Sequence, residues 1–136
     1  MSGKENTDTA VLHYGMVGGG PGSFIGGVHR KAAKFDGKAE IVSGAFSRTY
    51  EKTLQTGKEL GLTEDRLYKD YEEMAEEEAN RSDGIDFVSI VVPNKFHYPV
   101  AKKFLEEGIN VVCDKPLTVT QEEAEELEEL TRKNDL

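Results

Sequence analysis

The sequence predicts an α/β domain built on a doubly wound, mostly parallel sheet with helices on both faces. Three observations carry that expectation. Val11–His29 (VLHYGMVGGGPGSFIGGVH) runs from an apolar-leaning stretch through Gly18, Gly19, Gly20, Pro21 and Gly22 into helix-compatible residues. Short apolar stretches then alternate with segments of helical period, the order that gives parallel strands joined by right-handed crossovers. Phe87–Val92 (FVSIVV) is nearly all apolar and β-branched, as a strand is when helices cover both sheet faces.

Taken in order, residues 1–9 are polar and expected to fray, and residues 10–136 form one domain. Val11–Val17 reads as the first strand. After the glycines, Ile25, Val28, Ala32 and Phe35 fall at helical spacing, which predicts one inward apolar stripe on a helix ending near Gly37. Glu40–Phe46 is a second strand, and Tyr50–Leu60 a second helix stopped by Gly61. Arg66–Tyr68 is expected to add a short strand, and Asp70-x-x-Glu73 resembles a capping box opening an acidic helix over Glu72–Asn80. Pro93-Asn94 ends the FVSIVV strand. His97–Glu107 is a helix with Val100/Phe104 and Ala101/Leu105 as i,i+4 pairs and Gly108 at its C-terminus. Asn110–Cys113 predicts another short buried strand, and Thr120-x-x-Glu123 caps a last helix with Ala124, Leu127 and Leu130 inward.

Composition narrows the class. A chain of 136 residues buries roughly two-thirds of its unfolded surface. A net charge of −9 argues against non-specific binding to nucleic acid or to an anionic membrane surface. The acidic excess sits largely in Glu72–Glu78 and Glu122–Glu129, which read as solvated helix faces. The single cysteine, Cys113, permits no internal disulfide, so a reducing, cytoplasmic location is expected. No apolar run reaches transmembrane length, the start MSGKENTDT is not a signal peptide, and no metal site is expected.

In such sheets a ligand binds beyond the carboxyl ends of the strands, where strand order reverses. Glycines there let backbone N–H groups approach a ligand, and the helix N-terminus behind them offers unpaired donors to a phosphate. The spacing is not a strict G-x-G-x-x-G. From Gly18 the third glycine falls on Ser23 and from Gly20 on Ile25; the pattern is Gly18-x-Gly20, then Gly26 and His29, as though Pro21-Gly22-Ser23 lengthened the turn. Three more segments converge on the same edge: Ser47-Arg48, Pro93-Asn94 with His97, and Asp114-Lys115-Pro116. Each also has a plain reading, as a polar turn, a helix cap, an ordinary first-turn residue or a solvated turn.

VVPNKFHYPVAKKFLEEGINVVCDKPLTVT resembles the TPN-x-x-H and E-K-P block of the Gfo/Idh/MocA oxidoreductase family, and the glycine turn with His29 is similar to that family's first βα unit in a longer-loop form. The resemblance runs from about Val11 to about Asn134. Asp114 replaces the usual Glu, one methylene shorter, and Val92 stands where Thr is common. The resemblance implies a Rossmann-like NAD(P)-binding domain of an enzyme that oxidises the CH–OH group of a sugar, inositol or related polyol. It implies cofactor contacts from Gly18, Gly20, Gly22, Ser23, Phe24, Ile25, Ser47, Arg48, Pro93, Asn94, His97, Asp114 and Lys115. Lys115 is the catalytic residue it implies, its ammonium polarising the substrate hydroxyl. Ser47 sits where NAD-selecting enzymes place an acid and Arg48 follows it, so NADP is favoured over NAD with both usable. The resemblance implies that the acid/base pair belongs to a C-terminal substrate domain, which is expected to lie outside residues 10–136, and a homo-oligomer is expected.

Other readings stay open on the sequence. VGGGPG is also similar to the glycine motif of methyltransferases that use S-adenosylmethionine, although Met16 and Ser47 stand where those enzymes usually carry acids and the Asp114–Pro116 turn goes unexplained. A P-loop is excluded for want of Gly-Lys-[Ser/Thr]. A non-catalytic module that senses a dinucleotide has the same fold.

Overall fold

The computed structural model describes residues 10–136; the expected tail at 1–9 lies outside the described residues. The strands are β1 (Leu12–Gly18), β2 (Ala39–Ala45), β3 (Phe87–Val91) and β4 (Asn110–Cys113), and the helices are α1 (Phe24–Lys34), α2 (Tyr50–Glu59), α3 (Tyr71–Asn80), α4 (His97–Glu106) and α5 (Gln121–Asn134). All strand pairs are parallel and the sheet order is β2-β1-β3-β4. The chain runs outward from β1 to β2 and then returns past β1 to β3. Strand order therefore reverses between β1 and β3, and the glycine loop opens at that point.

Alternate residues of each strand feed two different layers. Tyr14, Met16 and Val91 pack with Phe46 and Leu67 against Ile25 and Ala33 of α1 and Leu54 of α2. Val17, Val88 and Ile90 pack with Met74 and Ala75 of α3, Val100, Ala101, Phe104 and Leu105 of α4, and Leu127 of α5. Helices thus cover both sheet faces. Phe104 is fully buried, which stabilises the fold by about 1.5–3 kcal/mol relative to exposure.

Three expectations change. Arg66–Tyr68 does not form a strand: the pairing is reduced to one bridge, Gly44 to Leu67, with Tyr68 N–H donating to Gly44 O. A 3-10 turn at Glu64–Arg66 precedes it, and the cap of α3 at Asp70 follows at once. The segment is held by side chains instead. Arg66 donates through Nε and Nη2 to the two oxygens of fully buried Glu78, at 3.1 and 2.5 Å, and Tyr68 Oη donates to Glu78 Oε2 at 2.8 Å. Burial first, and the Glu78 carboxylate second, push the Tyr68 hydroxyl above its ordinary range.

The second change is α1. Val28, Ala32 and Phe35 face solvent, Phe35 at 93 % exposure, and of the expected stripe only Ile25 is partly buried. The helix rests on the sheet through Gly26, His29, Arg30 and Ala33, because Gly26 lets its first turn lie directly on the glycine loop. Third, β4 is a half-exposed edge of the sheet rather than a buried strand, with Asn110 and Val112 turned outward. The last helix follows expectation. Thr120 Oγ1 accepts from Glu123 N–H, the Glu123 carboxylate accepts from Thr120 N–H, and Leu127 is buried.

Candidate functional site

The glycine loop is shaped for close backbone approach. Gly18 has φ +87°, and a Cβ there would lie 2.9 Å from Val91 O. A Cβ on Gly26 would lie 2.6 Å from Gly19 Cα, so the third glycine of the motif, displaced by the longer turn, sets the contact between loop and helix. Ser23 caps α1, its Oγ accepting from Gly26 N–H at 3.1 Å. The N–H groups of Phe24 and Ile25 open the helix, among those that have no acceptor within it. Arg30 Nη1 donates to Gly19 O at 3.1 Å and tethers the loop from behind. A Cβ on Gly20 would lie 2.9 Å from Phe46 O, whereas Gly22, at φ +82°, has nothing crowding it.

Beside the loop lies a cleft of about 560 Å³, in the size range of small-molecule sites. Of the expected contact residues, Gly18, Ser47, Arg48 and Pro93 line it, whereas Gly20, Gly22, Ser23, Phe24, Ile25 and Asn94 do not. Ser47 N–H donates to Thr53 Oγ1 at 3.0 Å, and Ser47 Oγ accepts from Thr49 N–H at 3.1 Å, so the turn after β2 is fixed by its own side chains. The Arg48 guanidinium carbon lies 5.6 Å from the Phe96 ring centroid, and Lys95 Nζ lies 5.1 Å from the same centroid. Asn94 opens the 3-10 turn Asn94–Phe96 and is exposed.

Sequence reasoning missed Lys69, Asp70, Tyr71, Glu72 and Phe96, which complete the cleft wall. The Asp70 cap was the available signal. It marks a helix start, and a helix following the edge segment begins on the same carboxyl edge of the sheet. Asp70 accepts from Glu73 N–H at 2.8 Å. The reciprocal bond expected of a full capping box goes elsewhere, from Lys69 N–H to Glu73 Oε1.

His97 is placed differently from the expectation of a cofactor contact. It is fully buried, with Nδ1 2.6 Å from Pro116 O and Nε2 2.8 Å from Val92 O. Each ring nitrogen faces a backbone carbonyl, to one of which a neutral imidazole donates, so its effect on the site runs through the two segments it packs between. Asp114 is half-buried, and His29 Nε2 lies 3.3 Å from its Oδ1. Lys115 is exposed on the turn after β4, and the Lys115–Pro116 peptide is cis. Asp114 and Lys115 lie outside the walls of the 560 Å³ cleft. Burial, with Asp114 beside it, pushes the Cys113 thiol up to about 11, which keeps it protonated at neutral pH and a poor nucleophile.

A glycine loop with close backbone approach, a helix N-terminus behind it and a cleft at the point of strand reversal define a dinucleotide-binding α/β domain. The chain belongs to the Gfo/Idh/MocA family, whose model, described as an oxidoreductase family with an NAD-binding Rossmann fold, matches residues 12–136. It is 42 % identical over 134 residues to an uncharacterized oxidoreductase of Bacillus subtilis, covering 98 % of this chain and 34 % of that protein. Among solved structures it superposes on an inositol dehydrogenase homologue of Azotobacter vinelandii complexed with NADH and myo-inositol, with TM-score 0.90 and 42 % identity over 93 % of this chain and 34 % of that one. An oxidoreductase of Pseudomonas syringae gives TM-score 0.89 and 45 % identity, again over 93 % and 34 % of the two chains. The chain thus spans about a third of the length of these relatives.

Proposed function

We propose that residues 10–136 form the cofactor-binding part of an NAD(P)-dependent oxidoreductase that oxidises a CH–OH group of inositol, a sugar or a related polyol. The observation that carries the reading is the cleft between the glycine loop and the Ser47-Arg48 turn, at the reversal between β1 and β3. The A. vinelandii homologue, complexed with NADH and myo-inositol, supports the polyol class. The methyltransferase reading has no comparable support.

The residues fit a dinucleotide. The Phe24 and Ile25 N–H groups and the Gly18–Gly22 loop would hold the pyrophosphate, and Ser47, Arg48 and Phe96 would meet the adenosine. A nicotinamide, when bound, accepts hydride from the carbinol carbon. Lys115 would donate a hydrogen bond to the oxygen on that carbon and stabilise the charge it develops as hydride departs. The hydroxyl proton passes to a base outside these residues, on a substrate domain within the part of its relatives that this chain does not span.

Ser47 brings no negative charge to the end of β2, and Arg48 offers a bidentate partner to a 2′-phosphate, so NADP is favoured modestly and NAD remains usable. Asp70 and Glu72 on the same cleft wall oppose a phosphate and keep the preference small. Titration of the chain with NADH and NADPH, followed by an assay with NAD, NADP and polyols, tests the reading. Saturable binding without turnover is the expected result. Binding of S-adenosylmethionine in place of either dinucleotide, or hydride transfer by the chain alone, would overturn it.

A further inference from the structure

The turn that carries Lys115 is gripped from two sides by histidines that the proposed chemistry does not use. His97 sits between the Pro116 carbonyl and that of Val92, at the end of the neighbouring strand, with its ring nitrogens 2.6 and 2.8 Å from them. His29, on the second turn of α1, approaches the turn from the α1 face of the sheet. Its Nδ1 lies 2.9 Å from Ser89 Oγ on β3, and its Nε2 lies 3.3 Å from Asp114 Oδ1. A carboxylate only accepts, so the tautomer that satisfies all three groups has Nε2–H donating to Asp114 and the Ser89 hydroxyl donating to Nδ1.

Ser, His and Asp in sequence are a nucleophilic arrangement in other folds, but here Ser89 is 3 % exposed inside the sheet layer and meets no substrate. What remains is mechanical. The imidazole spans α1, β3 and the end of β4, three elements that sequence separates by 60 and 85 residues. The Asp114 carboxylate faces inward to His29 while Lys115, the next residue, faces solvent.

We infer that His29 is a positioning residue: by anchoring Asp114 to Ser89 it fixes the turn and holds the Lys115 ammonium where the nicotinamide ring and the substrate hydroxyl meet. The inference rests on the role of Lys115 in the proposed function.

The test reads charge at the nicotinamide end in the 136-residue chain, without catalysis. The nicotinamide ring is cationic in NAD+ and neutral in NADH, so a lysine held beside it makes Kd(NAD+)/Kd(NADH) larger. One unit of partly screened charge changes that ratio roughly 3–10-fold. Lys115→Met is expected to lower the ratio by that factor. His29→Gln is expected to lower it in the same direction, and adding Lys115→Met to His29→Gln should lower it little further.

A His29→Gln protein that weakens NAD+ and NADH equally and keeps the wild-type ratio makes His29 merely structural and overturns the inference, leaving Lys115 in place. A wild-type ratio in Lys115→Met instead removes Lys115 from the nicotinamide, and both readings fall. Should His29→Gln not fold, Ser89→Ala cuts the same tether at its β3 end without changing any charge beside Lys115. A lowered ratio there supports the inference and an unchanged one overturns it.

Discussion

Two neighbouring glycines on α1 make a controlled experiment. A Cβ on Gly26 would meet Gly19 Cα at 2.6 Å, Ser23 Oγ at 3.0 Å and Arg30 Nη1 at 3.3 Å, whereas a Cβ on Gly27 meets nothing within 4 Å. Ordinary carbon contacts lie near 3.5–4.0 Å, so Gly26→Ala forces backbone away from backbone by about 1 Å. Neither Cα can rotate aside as a side chain would, and the displacement falls on the loop or on the first turn of α1. Overpacking of this kind costs about 1–3 kcal/mol of stability. It also moves the Phe24 and Ile25 N–H groups off the position proposed for the pyrophosphate. Losing one or two charge-assisted bonds there weakens binding by about 1.5–3 kcal/mol, or roughly 10–150-fold in Kd. Gly27→Ala meets no such barrier and should stabilise the helix by about 0.4–1 kcal/mol, with dinucleotide affinity unchanged. Fluorescence titration with NADH and urea denaturation of both variants supply the numbers. Wild-type affinity in Gly26→Ala, or an equal loss in Gly27→Ala, would refute the assignment of Gly26 as the contact that sets the phosphate site.

Other outcomes follow from the same geometry. Arg48→Ala is expected to weaken NADPH by about 1.5–3 kcal/mol and barely touch NADH; equal losses for both, measured by calorimetry, would assign Arg48 to the adenine face over Phe96. Glu78→Ala takes the buried carboxylate from the Tyr68 hydroxyl and from Arg66, which keeps only Asp83 at 3.6 Å, and should destabilise the fold by about 3 kcal/mol in chemical denaturation, with near-wild-type stability as the contrary result. The Lys102 ammonium, and then Tyr98, hold the Glu126 carboxyl below its ordinary value of 4.5. Its contribution to stability is therefore present above that pH and lost as pH falls through the lower folded value. Glu126→Gln should lower stability at neutral pH and narrow the gap to wild type in acid, and a gap independent of pH would contradict this.

What the sequence determined by itself is local. Strand β3 was legible because an apolar β-branched run has few other solutions, and α5 because Thr120 and Glu123 cap it within four residues. The glycine loop was legible because backbone approach to a phosphate needs glycine at particular points in one short turn. The four segments share one edge for a topological reason, since in a parallel sheet every strand end followed by a helix reaches the same edge; three of them line the cleft, and Asp114 and Lys115 lie outside its walls.

The tertiary structure decided matters of direction and partnership. Helical period placed Val28, Ala32 and Phe35 on one side of α1, yet which side faces the sheet was settled by Gly26 against Gly19, a contact between backbones that leaves no apolar signature. Arg66–Tyr68 has strand-like residues, but a salt bridge to Glu78 twelve residues on holds the segment where ladder bonds would have. His97 and Asp114 look alike in sequence as polar residues at strand ends. One turned inward onto two carbonyls and the other toward an imidazole 85 residues away, because a hydrogen bond depends on where its partner sits in space and sequence spacing constrains that only within a turn or two.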